Sequence, residues 1–259
     1  MTSMAGKSTR LAGMTKVSRS TAKVDTLVAG ATGLIGRELV GLSRAADESV
    51  CALVRRAPAA SAGDGGVDWR VVDFASLPAL PPARQAYCAL GTTLAVAGSQ
   101  AAFRAVDFDA VVAFARAARK AGCTRMGVVS ALGASERSPS FYSRTKGEAE
   151  TALAGLGFEH LVIARPSLLA GDRRSLGQPQ RLGERVALAI TSPLGGLIPA
   201  AWRPIEAVVV ARALRAALAD AKPGITVIDS GQLQRLGRGA DRDSAGRVGP
   251  TLTGKRRVR

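Results

Sequence analysis

The stretch Val24-Asp25-Thr26-Leu27-Val28-Ala29-Gly30-Ala31-Thr32-Gly33-Leu34-Ile35-Gly36 decides how the rest of the chain is read. Its first half is a short apolar run that stops at glycine, the pattern of a strand buried on both faces. From Gly33 the apolar spacing changes, and Leu34, Leu39, Val40 and Leu42 mark one side of a helix reaching Ala46. Three glycines punctuate the junction. Gly30 permits a sharp turn, Gly33 lets backbone come close to a pyrophosphate, and Gly36 lets the helix pack tightly on the sheet. The helix N-terminus then offers amide donors and a partial positive charge to phosphates. A glycine triple alone says little in a chain with 29 glycines. Its place in the first strand–turn–helix unit gives it meaning.

Outward from that unit the alternation continues. Strands are expected at Val50–Val54, Arg70–Phe74, Ala86–Leu90, Met126–Ser130, Leu161–Ala164 and Ile225–Asp229, and helices at Ser99–Ala121, Tyr142–Gly155 and Ile205–Ala219. Repeated β-α units with right-handed crossovers make an α/β fold, a doubly wound, mostly parallel Rossmann sheet with helices on both faces. Gly171–Pro204 is rich in Gly, Pro and Arg and reads as a small C-terminal lid over the substrate crevice. Residues 1–22 and 233–259 read as disordered basic extensions of a single domain, 23–232. That domain is expected to be a monomer or a homodimer.

The net charge of +16 raises a nucleic-acid reading, but its distribution argues against a specific one. Residues 1–23 carry +5, residues 232–259 carry +6, and the long middle only +5. Basic ends attract phosphate backbones and anionic membranes without specificity. The longest uncharged run, Val186–Trp202, is broken by Pro193, Gly195, Gly196 and Pro199 and falls short of the ~20 residues a span needs. Met1–Lys23 lacks the apolar core of a signal peptide. It is acid-free and Ser/Thr-rich, as transit peptides are, yet a floppy extension is the simpler reading, and a cytoplasmic location is expected. Cys51, Cys88 and Cys123 form no CxxC or Cys/His cluster, so buried thiols are expected and no metal site. His160 is the single histidine, without a second ligand or a serine partner, and is assigned to packing or to solvent.

Chemistry concentrates at strand ends. The second strand closes with Arg55-Arg56, and no acid follows until Asp64. An acid there would suit the ribose hydroxyls of NAD(H), whereas guanidinium groups suit the 2′-phosphate of NADP(H), the expected cofactor. Asp73-Phe74 could contact the adenine, and Leu90-Gly91-Thr92 ends the fourth strand where ligands lie. Tyr142 and Lys146 share a helix face one turn apart. A free phenol has a pKa near 10 and a nearby ammonium favours its anion, making Tyr142 a usable proton donor or acceptor. Ser130, ending the fifth strand, could hydrogen-bond a reacting carbonyl.

With these motifs the chain resembles the atypical branch of the short-chain dehydrogenase/reductases, in particular the Tat-interacting-protein-like NADPH-binding group. The resemblance rests on the 30–36 loop, Cys88-Ala89-Leu90-Gly91-Thr92-Thr93, Ser130-Ala131-Leu132-Gly133-Ala134, Tyr142 with Lys146-Gly147-Glu148, and Arg165-Pro166, and it spans residues 24–232. It implies NADPH contacts at Thr32, Gly33, Leu34, Ile35, Arg55, Arg56, Leu90, Gly91, Tyr142 and Lys146, with Leu169 and Arg181 at further matching positions; Gly30, Gly36 and Pro166 are cofactor-binding candidates beside them. Around Arg173–Gln180 the chain carries extra residues relative to that pattern.

The implied activity is hydride exchange between NADP(H) and a carbonyl or alcohol. In it Tyr142 moves the proton, Lys146 holds the ribose and Ser130 orients the substrate oxygen. Arg173, Arg174, Arg181, Arg185 and Arg203 suit an anionic small-molecule substrate. Since some members of the branch act as regulators, an NADPH sensor is the alternative, and an epimerase- or dehydratase-like enzyme is a third.

Overall fold

Leu27, Val28 and Ala29 have no exposed surface because β1 (Val24–Ala29) lies in the middle of the sheet. The computed structural model describes residues 22–58, 66–170 and 203–245. Around β1 stand β2 (Val50–Val54), β3 (Val67–Val71), β4 (Ala83–Cys88), β5 (Arg125–Val129), β6 (His160–Arg165) and, after a short pair described below, β9 (Gly224–Asp229). The order is β3-β2-β1-β4-β5-β6-β9, and all six ladders are parallel. Strand order reverses between β1 and β4, which opens a crevice at their carboxyl ends.

Helices cover both faces. α1 (Leu34–Ala45) brings Leu39 to the side where Leu214 of a later helix, α6 (Ala207–Asp220), also packs. The opposite face holds α4 (Ala110–Lys120) through Phe114 and α5 (Phe141–Ala154) through Leu153. Between β4 and α4 come α2 (Leu94–Ala97), capped by Thr93, and α3 (Gln100–Arg104), capped by Ser99. A π-helical turn, Ala105–Asp109, joins α3 to α4. The helix expected over 99–121 is therefore one run with a wider turn inside it.

Several boundaries move, each for a physical reason. β3 starts at Val67, directly after Gly66 at φ +99°, while Val72 and Phe74 turn into the core beyond the strand's end. β4 begins at Ala83 because Gln85, polar and therefore unpromising, is buried with its amide donating to Thr26 Oγ1 at 3.0 Å. Ile205–Glu206 forms β8 against β7 (Leu169–Ala170), so α6 begins at Ala207 rather than at Ile205. The domain also runs past 232, correcting the expected boundary. α7 (Ser230–Ala245) buries Leu233 fully and crosses α6 at Gly237, where a Cβ would lie 2.2 Å from the Val209 carbonyl oxygen. A glycine at a helix crossing adds nothing to an apolar count, so the segment looks polar in sequence.

At the amino ends of the strands a polar network ties α1, β1, β4 and α6 together. Glu48 accepts two bonds of 3.0 Å from Arg215 and one of 2.9 Å from Thr26 Oγ1. Arg215 also donates to Ser43. Burial pushes the Glu48 carboxyl up, but the bonds from Arg215, Ser43 and Thr26 outweigh it and hold it below the ordinary value of 4.5. A carboxylate lowered on folding stabilises the fold above its unfolded value and loses that contribution as pH falls through the folded one. The two side chains are only 14% and 17% exposed, so Glu48→Gln leaves Arg215 nearly buried without its counter-charge. The expected loss is about 3 kcal/mol at pH 7, read by urea unfolding. The gap between variant and parent should narrow toward pH 3; a gap constant with pH counts against this account.

Candidate dinucleotide site

The loop after β1 is built by contacts that exclude side chains. Gly30 sits at φ +77°, and a Cβ there would lie 2.6 Å from the Ala89 carbonyl oxygen. The Gly33 N–H donates to the Gly30 carbonyl at 2.9 Å, and Gly33 caps α1 without a side-chain bond to its first amides. A Cβ at Gly36 would stand 2.1 Å from that same Gly30 oxygen. Gly36 thus admits the turn itself against α1, a closer approach than packing on the sheet requires.

A cleft of about 1090 Å³ opens over this turn. Of the residues expected from sequence, Gly30, Thr32, Gly33, Arg55, Arg56, Asp73, Phe74, Leu90 and Gly91 line it, joined by Ala57, Ala75, Val106 and Arg116. The Asp73 carboxylate also accepts the Ala75 N–H at 2.9 Å, closing a local turn. Ile35 is buried among core residues, so it can offer a ligand only backbone, and Leu34 opens α1 beside it. The Thr92 N–H is taken by Asp107 Oδ2 at 2.8 Å. Gly30 in a left-handed conformation, the missing Cβ of Gly36, a helix N-terminus without a side-chain cap and two arginines on one wall fit a phosphate-bearing dinucleotide.

The proton-transfer candidates stand beside this cleft rather than among its lining residues. α5 carries both Tyr142 and Lys146, and the Tyr142 ring lies 5.4 Å from that of Phe103. Lys146 is held by Asp107, Nζ to Oδ1 at 2.7 Å. Burial pulls the Lys146 ammonium down, but Asp107 and, less strongly, Tyr142 outweigh it and raise its pKa above the ordinary 10.5. Ser130 is buried and donates its hydroxyl proton to Glu150 Oε1, an oxygen that also accepts Arg165 Nε at 3.0 Å. The glycine after Lys146 has its own reason: a Cβ at Gly147 would lie 2.3 Å from the Glu136 nitrogen, where the loop after β5 rests on α5.

Pro166 accepts the Leu132 N–H at 2.9 Å and Leu169 lies in β7. Arg181 and nearly all of the expected lid, 171–204, lie outside the described residues. Cys51, Cys88 and Cys123 are unbridged and buried, and burial pushes each thiol up to about 12. His160 is 8% exposed at the start of β6. Among the described residues no helix is long and apolar enough to cross a membrane.

Asp107 and Glu150 are the residues that sequence reasoning missed. Asp107 falls on the buried stripe Phe103–Asp107–Val111–Phe114 at helical spacing, and an acid on a core stripe needs a buried cation. That signal was present. Glu150, one helical turn beyond Lys146, offered the same kind.

The sheet order, the glycine turn at a helix N-terminus and the arginine-walled cleft define an α/β protein of the dinucleotide-binding class. Residues 30–186 match the NAD(P)H-binding family, and the chain belongs to that family. Protein FMP52, mitochondrial, of Candida albicans is 32% identical over 193 residues, 71% of this chain and 83% of its own length. Protein HTATIP2 of Rattus norvegicus is 35% identical over 66% of each chain, in keeping with the resemblance to the Tat-interacting-protein-like group. The solved structure of MoeE5 in complex with UDP-glucose and NAD shares the fold at TM-score 0.61 and 20% identity, covering 79% of this chain and 75% of that one. A UDP-glucose 4-epimerase from Thermotoga maritima does so at TM-score 0.58 and 13% identity, covering 87% and 84%. The names of the FMP52 relatives place those proteins in mitochondria, which overturns the expected cytoplasmic location.

Gly36→Ala drives a methyl into backbone, whereas a Cβ at Gly41, on the same helix, would meet nothing within 4 Å. Gly36→Ala should weaken NAD(P)H binding at least tenfold, about 1.4 kcal/mol, and lower the thermal midpoint. Gly41→Ala should do neither. Fluorescence titration and thermal unfolding read both, and equal behaviour of the two variants would contradict the crowded-turn account.

Proposed function

We propose that the chain is an NADP(H)-dependent oxidoreductase of the short-chain type acting on a small carbonyl or alcohol. The observation that carries this reading is Arg55 and Arg56 on the cleft wall at the end of β2, with no carboxylate among the lining residues of that strand end. Two guanidinium groups there suit a 2′-phosphate dianion through charge-assisted, bidentate bonds. The bound nicotinamide supplies or takes up the hydride. Tyr142 gives or accepts the proton at its phenolic oxygen, and Lys146, charged and buried one turn away, holds the ribose hydroxyls. The family match and the Tyr142/Lys146 pair support this assignment.

A second reading, an NADPH-sensing regulator without turnover, is favoured by one observation. The single hydroxyl proton of Ser130 is committed to Glu150, so Ser130 has none to give a substrate carbonyl in this arrangement.

NADPH should bind at least tenfold more tightly than NADH, about 1.4 kcal/mol, and the Arg55→Ala/Arg56→Ala double variant should erase the difference. Equal affinities in the parent protein contradict the phosphate role. Tyr142→Phe should keep most NADPH binding while lowering turnover at least about hundredfold, the usual scale for a lost general acid. Lys146→Ala should harm both. Near-parental turnover in Tyr142→Phe, on any substrate found by screening, would remove the catalytic assignment and leave the sensor.

A further inference from the structure

We infer that Asp107 is a positioning residue that keeps Lys146 charged and fixed beside Gly91, and that it ties the same site to the loop after β4. The geometry gives each carboxylate oxygen its own task. Oδ1 takes the Lys146 ammonium at 2.7 Å and Oδ2 takes the Thr92 N–H at 2.8 Å. The Asp107 side chain has no exposed surface and that of Lys146 only 7%, so water cannot replace either partner. Gly91 lies against the pair: a Cβ there would sit in ordinary contact, 3.4 Å from Asp107 Oδ1 and 3.7 Å from Lys146 Nζ. One carboxylate thus couples the turn Ala105–Asp109, α5 and the cleft-lining loop at Gly91.

A buried ammonium without a counter-charge sheds its proton readily, because desolvation disfavours the charged form. The titratable groups that act most strongly on the Lys146 ammonium are Asp107 from the π turn, Tyr142 from its own helix and, less strongly, Cys88 from β4. The Cys88 thiol is pushed up to about 12 by burial and is neutral at working pH, so it cannot substitute for Asp107. Tyr142 can offer an opposing charge only when it gives up its own proton. Asp107 is therefore the permanent counter-charge. The π turn has a matching physical role: by widening the helix for one turn, it lets a helical carboxylate reach the end of β4 while Phe103 and Phe114 stay in the core.

The inference rests on the proposed role of Lys146 at the ribose only in its consequence for binding, and the experiment separates the two. The Lys146 ammonium is followed by 15N NMR in the cofactor-free full chain, its signal assigned by loss in Lys146→Met. In Asp107→Asn its titration midpoint should fall by at least about two pH units, within the span documented for buried lysines. A midpoint unchanged from the parent overturns the inference whatever the cofactor does. NADPH titration of Asp107→Asn should give near-parental affinity at pH 6.5 and an affinity that weakens severalfold as pH rises through the lowered midpoint, while that of the parent protein holds over the same range. If the midpoint falls but affinity does not follow pH, the inference stands and the ribose contact of the proposed function fails. Should Asp107→Asn not fold, Asp107→Asn/Lys146→Met decides. Folding of the double variant shows that the fault is an unbalanced charge, as inferred, while its failure assigns Asp107 to the fold through Thr92 and overturns the inference.

Discussion

Three elements press on the carbonyl oxygen of Gly30. It accepts the Gly33 N–H, lies where a Cβ of Gly36 would fall, and belongs to a residue whose own Cβ would collide with Ala89. β1, β4 and α1 therefore converge on one peptide unit with no room for a side chain from any of them. That convergence aims the first amides of α1 into the crevice between β1 and β4. The position of the arginines at the end of β2 follows from it, because β2 is registered on β1 through Leu53 and Ala29. In the proposed reading, a dinucleotide laid over this turn would be oriented by backbone that leaves no room for side chains at Gly30 and Gly36.

Function and stability are separated along the strands. The cleft and the candidate proton-transfer groups sit at the carboxyl ends, whereas the Glu48–Arg215 network sits at the amino ends. Two ion pairs, one half-buried and one buried, mark the two ends. Glu48–Arg215 joins the loop before β2 to α6 and touches nothing in the cleft, while Asp107–Lys146 stands beside the cleft and lies against Gly91. Charge burial of this kind is costly unless an opposite charge stands close by, as it does in both pairs.

Much of this was legible in sequence, for identifiable reasons. β1, β2 and the glycine turn announce themselves because buried parallel strands are unbroken apolar runs and the glycines are confined to one junction. The two arginines on the cleft wall, Arg55 and Arg56, follow from position alone. What escaped the reading did so where a local pattern ran against its surroundings: Gln85 buried in a strand, Asp107 on an apolar helix stripe, Gly237 at a helix crossing. Each is satisfied by a partner distant in sequence, such as Thr26, Lys146 or Val209, and no local pattern contains it. Ser130 differs, since its location was foreseen but its bond to Glu150 was not.

The three cysteines give the fold one more property. Cys51 and Cys88 lie on β2 and β4, flanking the central strand, and Cys123 precedes β5. None has exposed surface, and their thiols are held in the unreactive protonated form. A thiol reagent in solution can reach them only when the sheet parts. The chain thus carries its own clock for opening, with one hand on each side of β1 and a third at the edge of β5, and modification order would reveal which part of the sheet lets go first.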